Sequence, residues 1–164
     1  PTAPSRSCSK KYRPPWDVRA GVVTCTASEV LDLGTGICYA KSHLLAALLR
    51  ASGIPAGFCY QALCRDAPNG GMCLHGFNAL YLGSLDRWIR VDPRGNTSDI
   101  KAQFSTGEER LAFPVREELG EITYGEIFAE PTAAVVDVLT GYDDLDEMWR
   151  YLPGPLTDHI APMR

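Results

Sequence analysis

The sequence predicts an α+β fold, with helices and an antiparallel sheet in separate parts of the chain. A helical pattern that begins near Cys38 stops at a Ser-Gly-Ile-Pro segment, residues 52–55, and the pattern after it is that of extended strands. Strand-like segments then follow one another with only turn-rich connections between them. A helix followed by such an antiparallel meander is typical of the α+β class.

Size and charge limit the range of functions. A chain of 164 residues suits one domain with a hydrophobic core and is too short for two large ones. The formal net charge of −4 argues against nucleic acid as a partner. No apolar run reaches membrane-spanning length and no signal-peptide segment is visible, so we expect no membrane partner. Since the first residue is Pro1, we expect the sequence to be a piece of a longer chain.

Six cysteines occur at irregular spacing along the chain. A chain with a sufficient core does not need disulfides, and without a visible secretory signal we expect reduced thiols. The expected location is therefore the cytoplasm. The sequence carries no signal for an oligomeric state, which stays unknown.

The N-terminal part divides into a lead-in and the start of the domain. Residues 1–25 contain four prolines among Ser, Lys and Arg, which predicts an extended or mobile lead-in, and residues 26–164 are expected to form a single domain. Thr26 and Glu29 have the spacing of a capping box, so a short helical turn is predicted at 26–31. Two glycines that follow permit a tight reversal before the next helix.

Cys38 starts the most strongly patterned helix of the chain. The predicted apolar face of this helix consists of Ile37, Ala40, Leu44, Ala47, Leu48 and Ala51. The opposite face holds Tyr39, His43, Ala46 and Arg50. A thiol in the first turn faces unpaired N–H groups and the positive end of the helix dipole, which favour thiolate over thiol. Taken alone, the helix is compatible with Cys38 either as a nucleophile or as a small core residue.

The strands are predicted at residues 56–63, 75–82 and 87–91. Residues 65–72 read as a turn-rich loop between the first two. Two-residue alternation places His75 on one face of the second strand and groups Asp92 with Arg90 on one face of the third. Pro93 closes the third strand because proline cannot continue a central ladder.

The C-terminal part of the sequence indicates architecture rather than chemistry. Two short elements are predicted at 108–114 and 121–124. A proline and a glycine bound a predicted helix at 132–139. A last helix is predicted at 143–151, with acidic residues at its start, as the helix dipole prefers. Nothing in these segments indicates a ligand.

Three motifs, taken together, resemble one known family. Cys38 lies in GICYAKSHLLAALLRASGIPA, His75 in HGFNALYL and Asp92 in WIRVDPRGN. Their order and spacing resemble the transglutaminase-like superfamily of cysteine acyl-transfer enzymes, in which a Cys on a helix, a His on a strand and an Asp on the next strand form a catalytic triad. The resemblance covers residues 26–96, the motif-bearing core. It implies a papain-like arrangement, in which the nucleophile helix packs on a small antiparallel sheet.

The chemistry implied by the resemblance suits these residue types. His75 would take the proton of the Cys38 thiol, and Asp92 would hold the imidazole in the required tautomer and stabilise its charged form. Attack on an amide, ester or thioester carbonyl would give an acyl-enzyme, which water or an amine resolves. The backbone N–H of Cys38 is a candidate oxyanion donor.

Hydrolysis of a peptide or amide bond is the first functional hypothesis, with a peptide, a protein or a small acyl or amide compound as the substrate. The enzymatic alternatives are transfer of the acyl group to an amine, as by a transglutaminase or an amide synthase, and biosynthetic acyl transfer or cyclisation. A catalytically idle binding module on the same fold is the alternative of another class. We predict no cofactor and no metal, since neither a phosphate-binding glycine motif nor a spaced acidic calcium pattern is evident.

Other assignments compete with the triad. His43 is five residues along the helix from Cys38 and is predicted to be a surface residue, and His159 lies in a proline-rich tail. His75 could be a structural strand residue, and Asp92 could cap the turn that follows it. A zinc site would use four candidate ligands, Cys59, Cys64, Cys73 and His75. Their spacing lacks the paired C-x2-C knuckles of zinc modules.

Overall fold

The structure, a computed structural model, describes residues 21–65, 70–96 and 102–156. Within these ranges the chain has an α+β fold, which confirms the predicted class. The helices in this part of the chain are α1 (Ala27–Leu33), α2 (Cys38–Ala51), α3 (Ala133–Thr140) and α4 (Leu145–Met148). The strands are β1 (Ala56–Cys64), β2 (Met72–Leu82), β3 (Arg87–Val91) and β4 (Ile122–Thr123). Most of the lead-in predicted at 1–25 lies outside the described residues, so the predicted domain division stays a prediction.

The strands form one antiparallel sheet in the order β3-β2-β1-β4. The β1–β2 hairpin is its longest unit, and its register pairs Gln61 with His75. Pairing of Cys64 with Met72 extends the hairpin beyond the predicted strand ends. β3 covers the residues predicted for it. Residues 66–69, within the predicted loop, lie outside the described ranges.

Both faces of the β1–β2 hairpin are covered, so its strands lack the polar outer face of a half-exposed sheet. All of β1 and residues 73–80 of β2 are buried. α2 covers one face, where the Asn78 amide donates a hydrogen bond to the Ser42 carbonyl at 3.1 Å. On the other face, the Gln61 amide donates to the Phe113 carbonyl at 3.0 Å. Side chains of β2 therefore point into the interior on both sides.

The predicted capping box is present at the start of α1. Thr26 Oγ1 accepts the Glu29 N–H at 3.2 Å, and the Glu29 carboxylate accepts the Thr26 N–H at 2.9 Å. α1 ends at Gly34, whose positive φ of 63° suits glycine. α2 begins only a few residues later, at Cys38, so the reversal between the two helices directly precedes the thiol.

The predicted apolar face of α2 is only partly the buried one. Leu48 is 52% exposed, and Ala47 is exposed as well. The buried residues of the helix are Cys38, Tyr39, Ala40, Ser42 and Ala46. Tyr39 lies on the sheet because Gly76 leaves room for its ring and because its hydroxyl donates a hydrogen bond to the Leu74 carbonyl. A tyrosine whose hydroxyl is paired can thus be buried in place of a leucine, which apolar periodicity does not reveal.

The prediction of a short element at 108–114 is wrong, because these residues form neither a helix nor a strand. The segment instead lies over the sheet and buries Ala112 and Phe113. Its backbone groups are bound by side chains of the sheet region rather than by a regular ladder. A 3-10 turn, Glu117–Leu119, follows, and β4 then occupies the middle of the element predicted at 121–124.

The helix predicted at 132–139 is present as α3, with Thr132 as its N-cap and Gly141 as its C-cap. The last helix, predicted at 143–151, is shorter than expected. It consists of α4, whose N-cap Asp144 accepts the Glu147 N–H at 2.9 Å, and of a 3-10 turn, Trp149–Tyr151. Among the helices of the described ranges, none combines the length and the apolar character that crossing a membrane requires.

Candidate active site

Cys38 is held at the start of α2 by a tightly packed turn. The N-cap, Ile37, is extended, with φ −77° and ψ 178°, and provides no side-chain cap. A Cβ on Gly36 would lie only 3.2 Å from both the Ala40 Cβ and the Thr24 Oγ1, so a larger residue would displace this turn. Cys38 itself is 6% exposed. Its side chain is therefore largely withdrawn from bulk solvent.

His75 lies between the other two predicted site residues. Its side chain is fully buried, and its Nε2–H donates a hydrogen bond to Asp92 Oδ2 at 2.7 Å. Cys38 is its other polar neighbour, and their interaction contributes to the raised pKa of His75. Because the carboxylate occupies Nε2, Nδ1 is the ring nitrogen available to the thiol. The structure thus places Cys38 and Asp92 next to the His75 imidazole.

Aromatic rings enclose this imidazole. Phe113 meets it edge-on, with the ring centroids 4.9 Å apart and an interplanar angle of 89°. Phe77, two residues further along β2, lies at 6.2 Å with an interplanar angle of 21°. Apolar walls of this kind exclude water and strengthen the electrostatic attraction between the imidazole and the carboxylate.

Asp92 lies one residue beyond the end of β3. Its Oδ2 accepts the Ala112 N–H at 3.1 Å in addition to the imidazole, and its Oδ1 accepts the Arg94 N–H at 3.0 Å. The Arg94 contact is the turn-capping role that the sequence left open. Asp92 therefore caps the turn and contacts His75 at the same time.

His75 and Asp92 each stabilise the charged form of the other. Burial alone would lower the pKa of His75, but Coulombic attraction and hydrogen bonding to Asp92, together with the contact to Cys38, raise it to about 10. Burial would raise the pKa of Asp92, but the imidazole and the backbone N–H groups of Arg94 and Ala112 hold it below its usual value. The site therefore favours an imidazolium beside a carboxylate at neutral pH.

This raised pKa predicts a pH-dependent stability in a Cys38→Ser variant, which removes the titration of the thiol. In this variant Asp92 still holds the pKa of His75 above its ordinary value of 6.5, so the folded protein keeps the His75 proton at pH values where the unfolded chain loses it. The folded state then binds more protons, so the free energy of unfolding falls as the pH rises from 6 to 8. The slope approaches at most about 1.4 kcal/mol per pH unit, the value for one proton.

Urea unfolding of Cys38→Ser at pH 6, 7 and 8 measures this slope. The matched control is Cys38→Ser/His75→Gln, in which the titrating imidazole is gone and the pH dependence is expected to disappear. Equal slopes in the two variants would show that His75 does not keep its proton in the folded state.

His43 is not the surface residue that the sequence predicted. It is half-buried, and its Nδ1 lies 2.6 Å from the Cys25 carbonyl oxygen. Its ring meets Phe58 edge-on at 5.6 Å, and burial lowers the pKa of the imidazole. His43 thus packs α2 against neighbouring segments, while His159 lies outside the described residues.

The alternative zinc ligands are not gathered at one point. The strand register places Cys59 opposite Phe77 and Cys73 opposite Leu63, so these two thiols are four positions apart along the hairpin. In the part of the chain that the structure describes, no cluster of three or more His, Cys, Asp or Glu side chains is arranged to hold a metal ion.

Several residues that contact or support the site were not predicted from the sequence. Ala112 donates through its backbone, which any residue except proline can do, so its side chain gives no signal. Phe113 lies in a segment without regular structure, and nothing in the sequence places it on the imidazole. Gly76 could have been noticed, because a glycine inside a strand often marks a close approach, here of the Tyr39 ring.

A groove with a volume of about 640 Å³ lies away from this site. It is lined by the start of β1, Trp88 on β3 and residues 125–129. Cys38, His75 and Asp92 do not line it. The groove therefore contributes no side chain to the site.

Comparison with known proteins agrees with the geometry at the level of the family. The family model of the transglutaminase-like superfamily matches residues 7–93, just over half of the chain, and this range includes Cys38, His75 and Asp92. No curated protein and no solved structure matches the chain. The matched range confirms the resemblance seen in the three motifs. The chain belongs to the transglutaminase-like superfamily, whose members are generally enzymes of cysteine-based acyl transfer or hydrolysis.

Proposed function

We propose that the protein is a cysteine hydrolase that cleaves a peptide or amide bond through a Cys38-His75-Asp92 triad. The observation that carries this proposal is the position of His75, which is hydrogen-bonded to Asp92 through Nε2 and interacts electrostatically with Cys38. This is the relation that nucleophilic catalysis requires of a general base and its orienting carboxylate.

The first half-reaction forms an acyl-enzyme. In the resting site the proton of the Cys38 thiol already lies on His75 Nδ1, and the thiolate sulfur of this ion pair attacks the carbonyl carbon of the substrate. The tetrahedral intermediate collapses by breaking the C–N bond, and the imidazolium gives its proton to the leaving amine. The products of this step are a thioester on Cys38, the free amine and a neutral His75.

The second half-reaction restores the thiol. His75 takes a proton from a water molecule, and the resulting hydroxide attacks the thioester carbonyl. Collapse of this intermediate releases the carboxylic acid, and the thiolate regains the proton from His75. Hydrolysis is the first choice because water is the only second reactant that it needs, whereas transfer requires a place for an amine.

Asp92 orients the imidazole and stabilises its charged form during both half-reactions. The backbone N–H of Cys38 is the proposed oxyanion donor, because it belongs to the first turn of α2, where the helix supplies no acceptor for it. The packing of α2 on the β1–β2 hairpin supports the papain-like arrangement that the family resemblance implied. A peptide, a protein or a small acyl or amide compound is the proposed substrate class, and a cytoplasmic location stays a prediction.

Alkylation by iodoacetamide at pH 7 tests the triad, with labelling at each cysteine followed by mass spectrometry. Cys25 serves as an internal control, because it is the more exposed thiol while burial and the nearby Glu29 raise its pKa. If accessibility alone decided the rate, Cys25 would react first. We expect Cys38 to react faster and His75→Ala to abolish this preference. Slow labelling of Cys38 in the unaltered protein would reject the enzyme and favour an idle binding module.

A second experiment separates hydrolysis from transfer. A series of amide, ester and thioester acyl donors is incubated with the protein in the presence and absence of primary amines, and the products are identified by mass spectrometry. Release of acid without amine adducts supports hydrolysis. Amine adducts that require Cys38 would reassign the protein to the acyltransferases of the superfamily.

A further inference from the structure

We infer that Gln61 is a positioning residue for the His75–Asp92 pair, which it serves by tethering the Ala112–Phe113 segment. The hydrogen bonds of Gln61 go to Phe113 and Thr123 and not to the thiol or the imidazole, so its role is to hold other residues in place. The consequence for catalysis rests on the proposed function, whereas the structural tether does not.

Gln61 is placed for this role by the strand register. It lies on β1 directly opposite His75 on β2 and is 1% exposed. Directly opposite residues of an antiparallel pair point to the same face, with Cβ atoms about 4.5–5.5 Å apart. A buried glutamine thus lies beside the imidazole, at a position where an apolar residue would serve packing alone.

Both donors of the Gln61 amide are used to join separate segments. Nε2 donates to the Phe113 carbonyl at 3.0 Å and to Thr123 Oγ1 on β4 at 2.9 Å. Oε1 has no hydrogen-bond partner among the described residues. A buried acceptor without a partner lowers stability, and such sites are concentrated where function requires them.

The tethered segment contacts both members of the pair. The Ala112 N–H donates to Asp92 Oδ2, and the Phe113 ring covers the imidazole. Residues 108–114 have no helix or strand ladder of their own, so side chains hold their backbone. Without the Gln61 donor, the Ala112 N–H can withdraw from the carboxylate and water can reach His75.

The test is the protonation of His75, followed through its ring ¹⁵N signals by NMR from about pH 6 up to the highest pH at which each protein stays folded, so that the midpoint near pH 10 is included. The variant is Gln61→Met, which keeps the unbranched shape and removes the donor. Gln61→Leu is the second variant, so that a folding failure of one leaves the other. The matched control is Thr123→Val, which removes the other partner of the amide and leaves its bond to Phe113.

We expect the His75 titration midpoint to fall by about one pH unit or more in the Gln61 variants, because weaker pairing with Asp92 disfavours the charged form. Exchange of the Ala112 amide proton is expected to accelerate in the same variants. Thr123→Val should leave both quantities as in the unaltered protein. A folded Gln61 variant with an unchanged midpoint and unchanged Ala112 exchange would overturn the inference.

The rate of Cys38 alkylation separates the positioning role of Gln61 from the proposed triad. If the triad is real, the Gln61 variants should lower the alkylation rate roughly tenfold, as small displacements of catalytic groups do. Slow alkylation in the unaltered protein would contradict the proposed function. The NMR titration would still show whether Gln61 holds the Ala112–Phe113 segment against the His75–Asp92 pair. Fast alkylation that is unaffected by a folded Gln61 variant would remove the positioning role and leave the triad intact.

Discussion

Asp92→Ala is expected to lower the rate of Cys38 alkylation at pH 7 roughly 30-fold, because an ordinary thiol is only a few per cent thiolate at that pH. Asp92 is the main group that keeps the proton on His75, and without it burial favours the neutral imidazole. The thiolate then loses its positive partner. Iodoacetamide kinetics with mass-spectrometric detection at Cys38 measure the change.

The same variant is expected to be less stable, by about 3–5 kcal/mol, since removing one partner leaves buried polar groups unpaired. Urea unfolding measures this loss and shows whether the variant is folded under the assay conditions. Asp137→Ala is the control, because Asp137 is an exposed residue of α3. A folded Asp92→Ala protein that alkylates at the original rate would mean that Asp92 does not act on the thiol.

Gly76→Ala is expected to destabilise the protein by about 1–3 kcal/mol, as overpacking of a core does. The added Cβ would lie 2.7 Å from Tyr39 Cδ1. The Tyr39 hydroxyl is bonded to the Leu74 carbonyl, so the ring cannot turn away without breaking that bond. Because Tyr39 directly follows Cys38, its displacement should also slow alkylation of the thiol. Urea unfolding and alkylation kinetics measure the two effects.

Gly83→Ala provides the comparison for this substitution. Gly83 lies between β2 and β3, and among the described residues no atom beyond its own chain neighbours lies within 4 Å of the position that its Cβ would take. The free energy of unfolding and the alkylation rate are expected to stay close to those of the unaltered protein. Equal behaviour of the two glycine variants would show that the contact between Tyr39 and Gly76 does not hold the start of α2.

The sequence predicts the elements that carry the site because each has a strong local signal. Thr26 and Glu29 have side chains that bind the backbone of the same helix, so their spacing alone identifies the start of α1. β3 is bounded by a turn before it and by Pro93 after it, and its predicted limits agree with the structure. Such signals depend on neighbouring residues only, which is why they can be recognised without knowledge of the fold.

The features that the sequence does not predict depend on contacts between distant segments. Tyr39 is buried because a glycine on β2 makes room for it, so the helical wheel of α2 alone identifies only part of the buried face. Residues 108–114 take their shape from Gln61 and Asp92, which belong to other parts of the chain. The pairing of His75 with Asp92 was expected from the family resemblance, but the groups that enclose the pair were not.

The main-chain contacts of Asp92 have a consequence for how this chain can diverge. Two of its hydrogen bonds come from the N–H groups of Arg94 and Ala112, which do not depend on the side chains at those positions. Selection for these two contacts therefore acts on the backbone at positions 94 and 112, where it excludes proline, and places no demand on the chemistry of the side chain. The demands on the side chains come from packing instead, because Ala112 is buried and the Arg94 guanidinium lies over the Phe113 ring.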